Sequence, residues 1–271
     1  MTPPPEAALQ LARSLATLRP SAPPPKLHLL TPDGASWLLH SPGWWPATPA
    51  QLDELWRARP PQPTLGTVMG RAVAFPRRTA AYGEDYAYTG QTQRAAPLAA
   101  APPLAAEACA ALASLPPLAG HAAALLNWYD AAAGEYMGAH ADDERALRRG
   151  EPIVSLSWAD GGHFRRFRLT PRKEGGGGLA PALPGGGGRA GVAAVRNGCL
   201  LVMGGTTQRT HKHELMKPTK APGEGVGRRV NLSLRCFAGR AGKRGREEGG
   251  EAEGREEVKG GEEGERRAAT P

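Results

Sequence analysis

"RRVNLSLRCF", residues 228–237, alternates strictly. Val230, Leu232, Leu234 and Cys236 fall on one side of an extended chain and Arg229, Asn231, Ser233 and Arg235 on the other, because successive side chains of a strand point to opposite faces. The apolar side calls for a core. The other side gathers two guanidiniums and two hydrogen-bonding groups. Arg229 and Arg235 are six residues apart, so their backbones lie roughly 20 Å apart in a straight strand. They meet on one small anion only by folding inward over Asn231 and Ser233. Arginine suits a forked grip on a carboxylate; the plain alternative is a basic strand facing solvent.

Outward from this strand the pattern repeats. "ALLNWYD" (124–130), "PIVSLSW" (152–158), "HFRRFRLT" (163–170) and "AAVRNGCLLVM" (193–203) are short runs separated by Gly, Pro and charged turns. Short strands in succession predict a sandwich or barrel, the jelly roll included. "TVMGRAVAFPRRTAAYGEDYAYTG" (67–90) alternates well enough for strands joined by turns. "TPAQLDELWRA" (48–58) predicts a short helix capped by Thr48, with Leu52, Leu55 and Trp56 at helical spacing. The Ala/Leu-rich 97–117 predicts another. The class is mainly β with flanking helices (α+β).

Composition sets the boundaries. The chain of 271 residues holds 36 Gly and 27 Pro without a regular period, which points to low-complexity segments beside a core. Residues 1–26 (Pro/Ala-rich) and 239–271 (Gly-rich and charged) are expected to be disordered, as is the Gly-rich insert 174–191. The folded domain is then 27–238. Net charge is +8, and the stretch 240–271 carries eight Lys/Arg against nine Asp/Glu. The basic excess therefore belongs to the folded part, which suits a polyanion such as nucleic acid. The three cysteines lie far apart with no Cys-x-x-Cys, against a zinc ribbon or a disulfide framework and in favour of a reducing intracellular compartment. No apolar run reaches the roughly 18 residues of a membrane span, and a secretory signal is not expected.

"GAHADDERAL" (138–147) holds His140 and Asp142, which an extended chain aims at one point. Two histidines and one carboxylate on one face leave positions open on non-haem Fe(II). "THKHEL" (210–215) offers a second histidine, His211 or His213; both project to the same side, so periodicity does not choose between them.

Taken in order, Asn127-x-Tyr129, His140-x-Asp142, His213 and Arg229-x5-Arg235 resemble the AlkB family of Fe(II)- and 2-oxoglutarate-dependent dioxygenases. The resemblance runs over about residues 60–238 and includes "PRRTAAYG", "LLNWYD", "HADDERAL", "EPIVSLSW", "GCLLVMGGTTQ" and "RVNLSLR". In detail it is most similar to the branch that repairs methylated bases in DNA. It implies a double-stranded β-helix (jelly-roll) core with N-terminal helices and a nucleotide-recognition hairpin. It implies iron on His140, Asp142 and His213, the last ligand following the Gln-like position, here Gln208, by five residues. 2-Oxoglutarate would place its far carboxylate on Arg229, helped by Tyr129 and Asn231, with Arg235 and Asn127 nearer the iron-bound end.

With O2 the family's chemistry turns 2-oxoglutarate into succinate and hydroxylates an N-methyl group, which leaves as formaldehyde. A base in a duplex must be flipped out to reach such a site. "VMG" (68–70) matches the family's finger, with Met69 where the duplex-DNA branch has an aromatic residue. Tyr86 and Tyr88 match the base-binding hairpin, and Glu144 matches the acid that meets the exocyclic amine. Arg77, Arg78, Arg145, Arg148 and Arg149 are candidates for phosphate contacts. The reading is an oxidative demethylase of 1-methyladenine and 3-methylcytosine in DNA, a monomer working on DNA or RNA without a membrane. Its expected place is the nucleus, with cytoplasm or an organelle as the alternative. Demethylation or hydroxylation of RNA or protein, and an inactive nucleic-acid-binding protein, are the competing functions.

Overall fold

In a computed structural model, residues 5–68, 70–88, 91–172 and 191–238 are described, the side chains of 67–68, 86–88 and 91–92 excepted. The elements run α1 (Glu6–Leu18), β1 (Lys26–Leu29), β2 (Ser36–Ser41), α2 (Pro49–Arg57), β3 (Leu65–Val68), β4 (Arg71–Ala74), β5 (Arg78–Gly83), β6 (Tyr86–Tyr88), β7 (Gln91–Gln93), β8 (Ala95–Ala96) and α3 (Pro103–Ala113). They continue with β9 (Ala123–Asp130), β10 (Met137–His140), β11 (Ile153–Ala159), β12 (Arg165–Pro171), β13 (Gly191–Val195), β14 (Cys199–Gly205), α4 (Thr207–Thr210), β15 (His211–Leu215) and β16 (Arg228–Arg235).

The strands pair into a major sheet, β1-β2-β14-β11-β16-β9-β5-β8, and a minor sheet, β10-β15-β12-β13. All pairs in both are antiparallel except β5 with β8. One face of the major sheet packs on the helices: Val230, Leu232 and Leu234 of β16 share a cluster with Leu11 and Leu15 of α1, Leu52 and Leu55 of α2 and Leu104 of α3. The other face meets the minor sheet, where Leu201 and Met203 of β14 pack with Phe167 and Leu169 of β12 and Val195 of β13. This is the mainly β jelly roll expected, with helices covering its outer side.

Burial explains the arrangement. Trp128 and Trp158 are fully buried, and each indole N–H donates to a carbonyl of the helical layer or its approach, Leu55 and Trp45 respectively. An interior tryptophan needs such a partner. Thr48 caps α2 with a full capping box through Gln51, as its sequence predicts.

Two expectations are corrected. The unpacked N-terminus expected over 1–26 is not what residues 5–26 do: Glu6–Leu18 is a helix with Ala8, Leu11 and Leu15 buried, and β1 already begins at Lys26. Those three positions stand one turn and two turns apart, a stripe that the Pro/Ala composition outweighed in the sequence reading. The run 193–203 is two strands rather than one. Gly198, at φ +77, turns the chain where an added Cβ would meet the Pro46 backbone, and the Asn197 side chain clasps both the N–H and the carbonyl of Ala47. Of the insert expected at 174–191, Gly191 already opens β13; residues 174–190 and the tail 239–271 lie outside the described residues. Among the described residues no helix is long and apolar enough to cross a membrane.

Candidate active site

β10 and β15 pair so that His140 stands directly opposite His213, with ring centroids 4.2 Å apart. The chain then leaves β10 and returns Asp142 to the same point: its Oδ1 lies 3.7 Å from His140 Nε2 and its Oδ2 4.0 Å from His213 Nε2. One donor atom from each of the three falls within 4.8 Å of the others. The ambiguity between His211 and His213 is resolved by register. Both face inward on β15, but His211 sits opposite Pro171 and has Thr210 Oγ1 2.8 Å from its Nδ1.

Each donor is held in the state a metal requires. His140 Nδ1 lies 2.8 Å from the Gly138 carbonyl; an oxygen that only accepts puts the proton there and leaves the Nε2 lone pair toward the cluster. Burial pushes His213 down to about 3, with His140 adding to it and Asp142 opposing, so the imidazole is neutral at pH 7. Burial works to raise Asp142, yet Arg235, His213 and His140 together hold its carboxyl well below the usual range. Two imidazoles and one carboxylate fit Fe(II). The Asp142 N–H donates to Gln208 Oε1 at 3.0 Å, and Arg235 donates twice to Oδ2, at 2.7 and 3.2 Å. These contacts orient the carboxylate from behind.

The triad opens onto a cavity of about 620 Å3 between the sheets. Asn127, Tyr129, Glu144, Arg229, Asn231 and Arg235 all line it, so the sequence-predicted site residues of β9, β16 and the loop after β10 are brought together. Arg229 is 3 % exposed; its Nη2 donates to Ser157 Oγ at 2.8 Å and its guanidinium carbon stands 5.1 Å from the Tyr129 ring. Asn231 donates to Ser155 Oγ and the Leu156 carbonyl and accepts from Ser233 Oγ. Ser155, Ser157 and Ser233 are therefore part of the site. The alternation of "VSLSW" carries the signal for the first two: Val154, Leu156 and Trp158 face the helices, which leaves both serines facing the cavity side.

Gln93 of β7 lines the same cavity. β3 pairs with β4 and β6 with β7 as separate two-stranded ribbons. Met69 lies outside the described residues, and Tyr86 and Tyr88 are described only as backbone of β6. Of the basic candidates, Arg77 lines the cavity, whereas Arg78 is bound to Glu135 at 2.6 Å and serves the scaffold.

A family model described as the 2OG-Fe(II) oxygenase superfamily matches residues 45–235, more than half of the chain. The chain belongs to that superfamily. Fe(II) and 2-oxoglutarate are accordingly its cofactor and co-substrate, and His140, Asp142 and His213 can hold the iron. Among solved structures the oxygenase is similar to a Pseudomonas putida prolyl-4-hydroxylase, at 15 % identity and a TM-score of 0.42 over 74 % of this chain and 93 % of that one. No curated protein matches it in sequence. When bound, the iron supplies oxidation by O2 at the expense of 2-oxoglutarate. The chain offers two imidazoles, an oriented carboxylate and the buried guanidinium of Arg229.

Proposed function

We propose that this oxygenase is of AlkB type and removes N-methyl groups from cationic methylated bases, 1-methyladenine and 3-methylcytosine, in DNA. The observation that supports the reading is Glu144. Its side chain lines the cavity two residues past the iron ligand Asp142, and its Oε2 is buried without a hydrogen-bond partner among the described residues. Burial and the neighbouring Asp142 raise its carboxyl above the ordinary glutamate value. A buried acceptor of this kind is costly when unpaired. A flipped base bearing an exocyclic amine and a positive charge would satisfy both the hydrogen bond and the charge, and would drive Glu144 to its ionised form. The basic balance of the chain, +8, favours a polyanionic carrier for that base.

In this reading 2-oxoglutarate places its distal carboxylate on Arg229 beside Tyr129, with Asn231 and Ser233 below it. Asn127 and Arg235 lie toward the iron. The test loads the full chain with Fe(II) anaerobically, then admits O2, 2-oxoglutarate and a panel of oligonucleotides carrying one methylated base each. Formaldehyde released in step with succinate from 1-methyladenine or 3-methylcytosine, absent in His213→Ala and strongly reduced in Glu144→Gln, is the expected result. Succinate without formaldehyde on every oligonucleotide would refute the base-demethylase reading while keeping the oxygenase.

A further inference from the structure

A second cavity, of about 470 Å3, adjoins the first. Asp142, Glu144 and Ile153 line both, so the loop after β10 forms part of both walls. A hydrogen bond also joins the second cavity to the iron site: Gln208, in its lining, accepts the Asp142 N–H at 3.0 Å. The volume is in the range of small-molecule sites. Pro152, Ile153 and Cys236 of the lining are buried, and Arg145, Arg148, Arg149 and Arg209 are exposed. The cavity therefore has an apolar floor and a basic rim.

The acids in the lining do not neutralise that rim. Asp142 is held by Arg235 at 2.7 Å and belongs to the iron donors. Asp143 meets Arg172 at 3.0 Å. Glu151 faces Arg148 at 3.8 Å, and Glu144 is the acid assigned above to the methylated base. Arg145, Arg149 and Arg209 have no carboxylate partner among the described residues. The half-buried arginines of β12 do have one, Arg166 with Glu224 and Arg168 with Glu214. Gathered like charges repel, so stability gives no reason for such a rim. The loop that carries it is nonetheless fixed. Leu147 bridges Phe237, the Arg148 N–H donates to the Cys236 carbonyl at 2.9 Å, and the Ala238 N–H donates to the Ala146 carbonyl at 2.8 Å. The Pro152 carbonyl lies 2.6 Å from His121 Nε2. A cationic rim on a fixed backbone is preorganised for an anion.

We infer that the second cavity is a subsite for the nucleotide next to the methylated one: Arg145, Arg149 and Arg209 hold its two phosphates, and the floor of Leu147, Pro152 and Cys236 takes its sugar and base. This rests on the proposed methylated-base substrate. The strand then passes from one cavity to the other across Asp142 and Glu144, the residues that both cavities share. Phosphate contacts fix register without reading sequence, so this subsite positions the methylated base at the iron whatever its neighbour is.

The experiment uses the full chain with Mn(II) in place of Fe(II), so that binding is read without turnover. Fluorescence anisotropy follows a labelled single-stranded oligonucleotide carrying one 1-methyladenine over a range of salt. Arg145→Gln, Arg149→Gln and Arg209→Gln together are expected to weaken binding about tenfold near about 0.15 M salt. They should lower the log–log salt slope by about 1.4, two phosphates at about 0.7 each on a single strand. Lysine at the same three positions keeps the slope. Arg13→Gln, Arg57→Gln and Arg59→Gln together, on or just past α1 and α2, leave it unaltered. Neutral methylphosphonates replace the two phosphates of the neighbouring nucleotide, first on the 5′ and then on the 3′ side. On one side they weaken the wild type by the same factor and the glutamine variant hardly further. If the triple glutamine variant does not fold, Arg209→Gln against Arg209→Lys reads the same charge at one position. Wild-type affinity and slope in the glutamine variant, an equal loss from the helical-layer arginines, or protein and oligonucleotide losses that add in full would overturn the subsite. Wild-type protein that binds no oligonucleotide at any salt would instead overturn the substrate reading on which the subsite rests.

Discussion

The two faces of β16 are one residue apart in sequence and opposite in chemistry, yet both are buried. Toward the helices stand Val230, Leu232 and Leu234; toward the minor sheet stand Arg229, Asn231, Ser233 and Arg235. On the first face Val230, Leu232 and Leu234 meet an apolar cluster, and contact alone holds them with no direction required. On the second each group is held by an oriented partner: Ser157 for Arg229, Ser155 for Asn231, Asn231 for Ser233, Asp142 for Arg235. Burial therefore does not distinguish scaffold from site in this fold. What distinguishes them is whether the buried groups are complete without a ligand. On the helix face Val230, Leu232 and Leu234 have no polar group to satisfy; the cavity face keeps the Arg229 Nε and Glu144 Oε2 without partners among the described residues.

The sharpest break of the comparison is on the cavity face. Asp142→Ala removes one iron donor and the counter-charge of Arg235 together. Turnover is expected to vanish and bound Fe(II) to fall below one per chain, while circular dichroism stays native. A variant that retained stoichiometric iron would remove Asp142 from the donor set. On the opposite face Trp128→Ala should do the reverse. It deletes a fully buried ring and the N–H donated to Leu55, for a loss of about 3–5 kcal/mol in denaturant unfolding, with the rate per folded molecule unchanged below the transition. A Trp128→Ala protein that is stable but slow would mean the two faces are coupled.

A milder change tests the cavity face without emptying it. Ser157→Ala takes away the hydroxyl that receives Arg229 Nη2, which is worth about 1 kcal/mol of positioning. The expected result is a severalfold rise in KM for 2-oxoglutarate with kcat at saturation and melting temperature nearly unaltered. A fall in kcat at unchanged KM would place Ser157 nearer the reacting atoms than the geometry does.

How much of this was open to reading from the chain differs between the same two faces. The apolar side of β16 follows from period two alone, and so do the sheets around it. The inward side is legible as polar residues, and the order of Asn127, Tyr129, His140, Asp142 and the two arginines carries the site. Period two fails where two candidates share a face. His211 and His213 both point inward, and only the pairing of β10 with β15 puts one opposite His140. Period two does put Arg165 with Phe167 and Leu169 on the buried face of β12, but it does not say what an inward arginine meets there. Helix α1 was lost for another reason. Its stripe of Ala8, Leu11 and Leu15 is thin, and helices of this kind are stabilised by the sheet they cover rather than by their own propensity.

The smallest effect lies outside both faces, at the hairpin edge of the major sheet. His40 of β2 stands opposite Lys26 on one side and Leu201 on the other, 6.4 Å from the His28 ring, and the Nε2 of each histidine is buried without a partner. Burial first, and His28 second, push His40 down to about 4; burial and Lys26 lower His28 as well. The unfolded chain takes up a proton at His40 near its ordinary value of 6.5, and the folded chain refuses it until about pH 4. The unfolded state thus binds more protons through this window, so stability falls as pH drops from about 6.5 toward 4 and is indifferent to His40 above it. His40→Leu should flatten melting temperature against pH across that window while keeping the slope below it. A slope untouched by the substitution would assign the acid sensitivity to the other histidines that burial lowers, His28, His163 and His213.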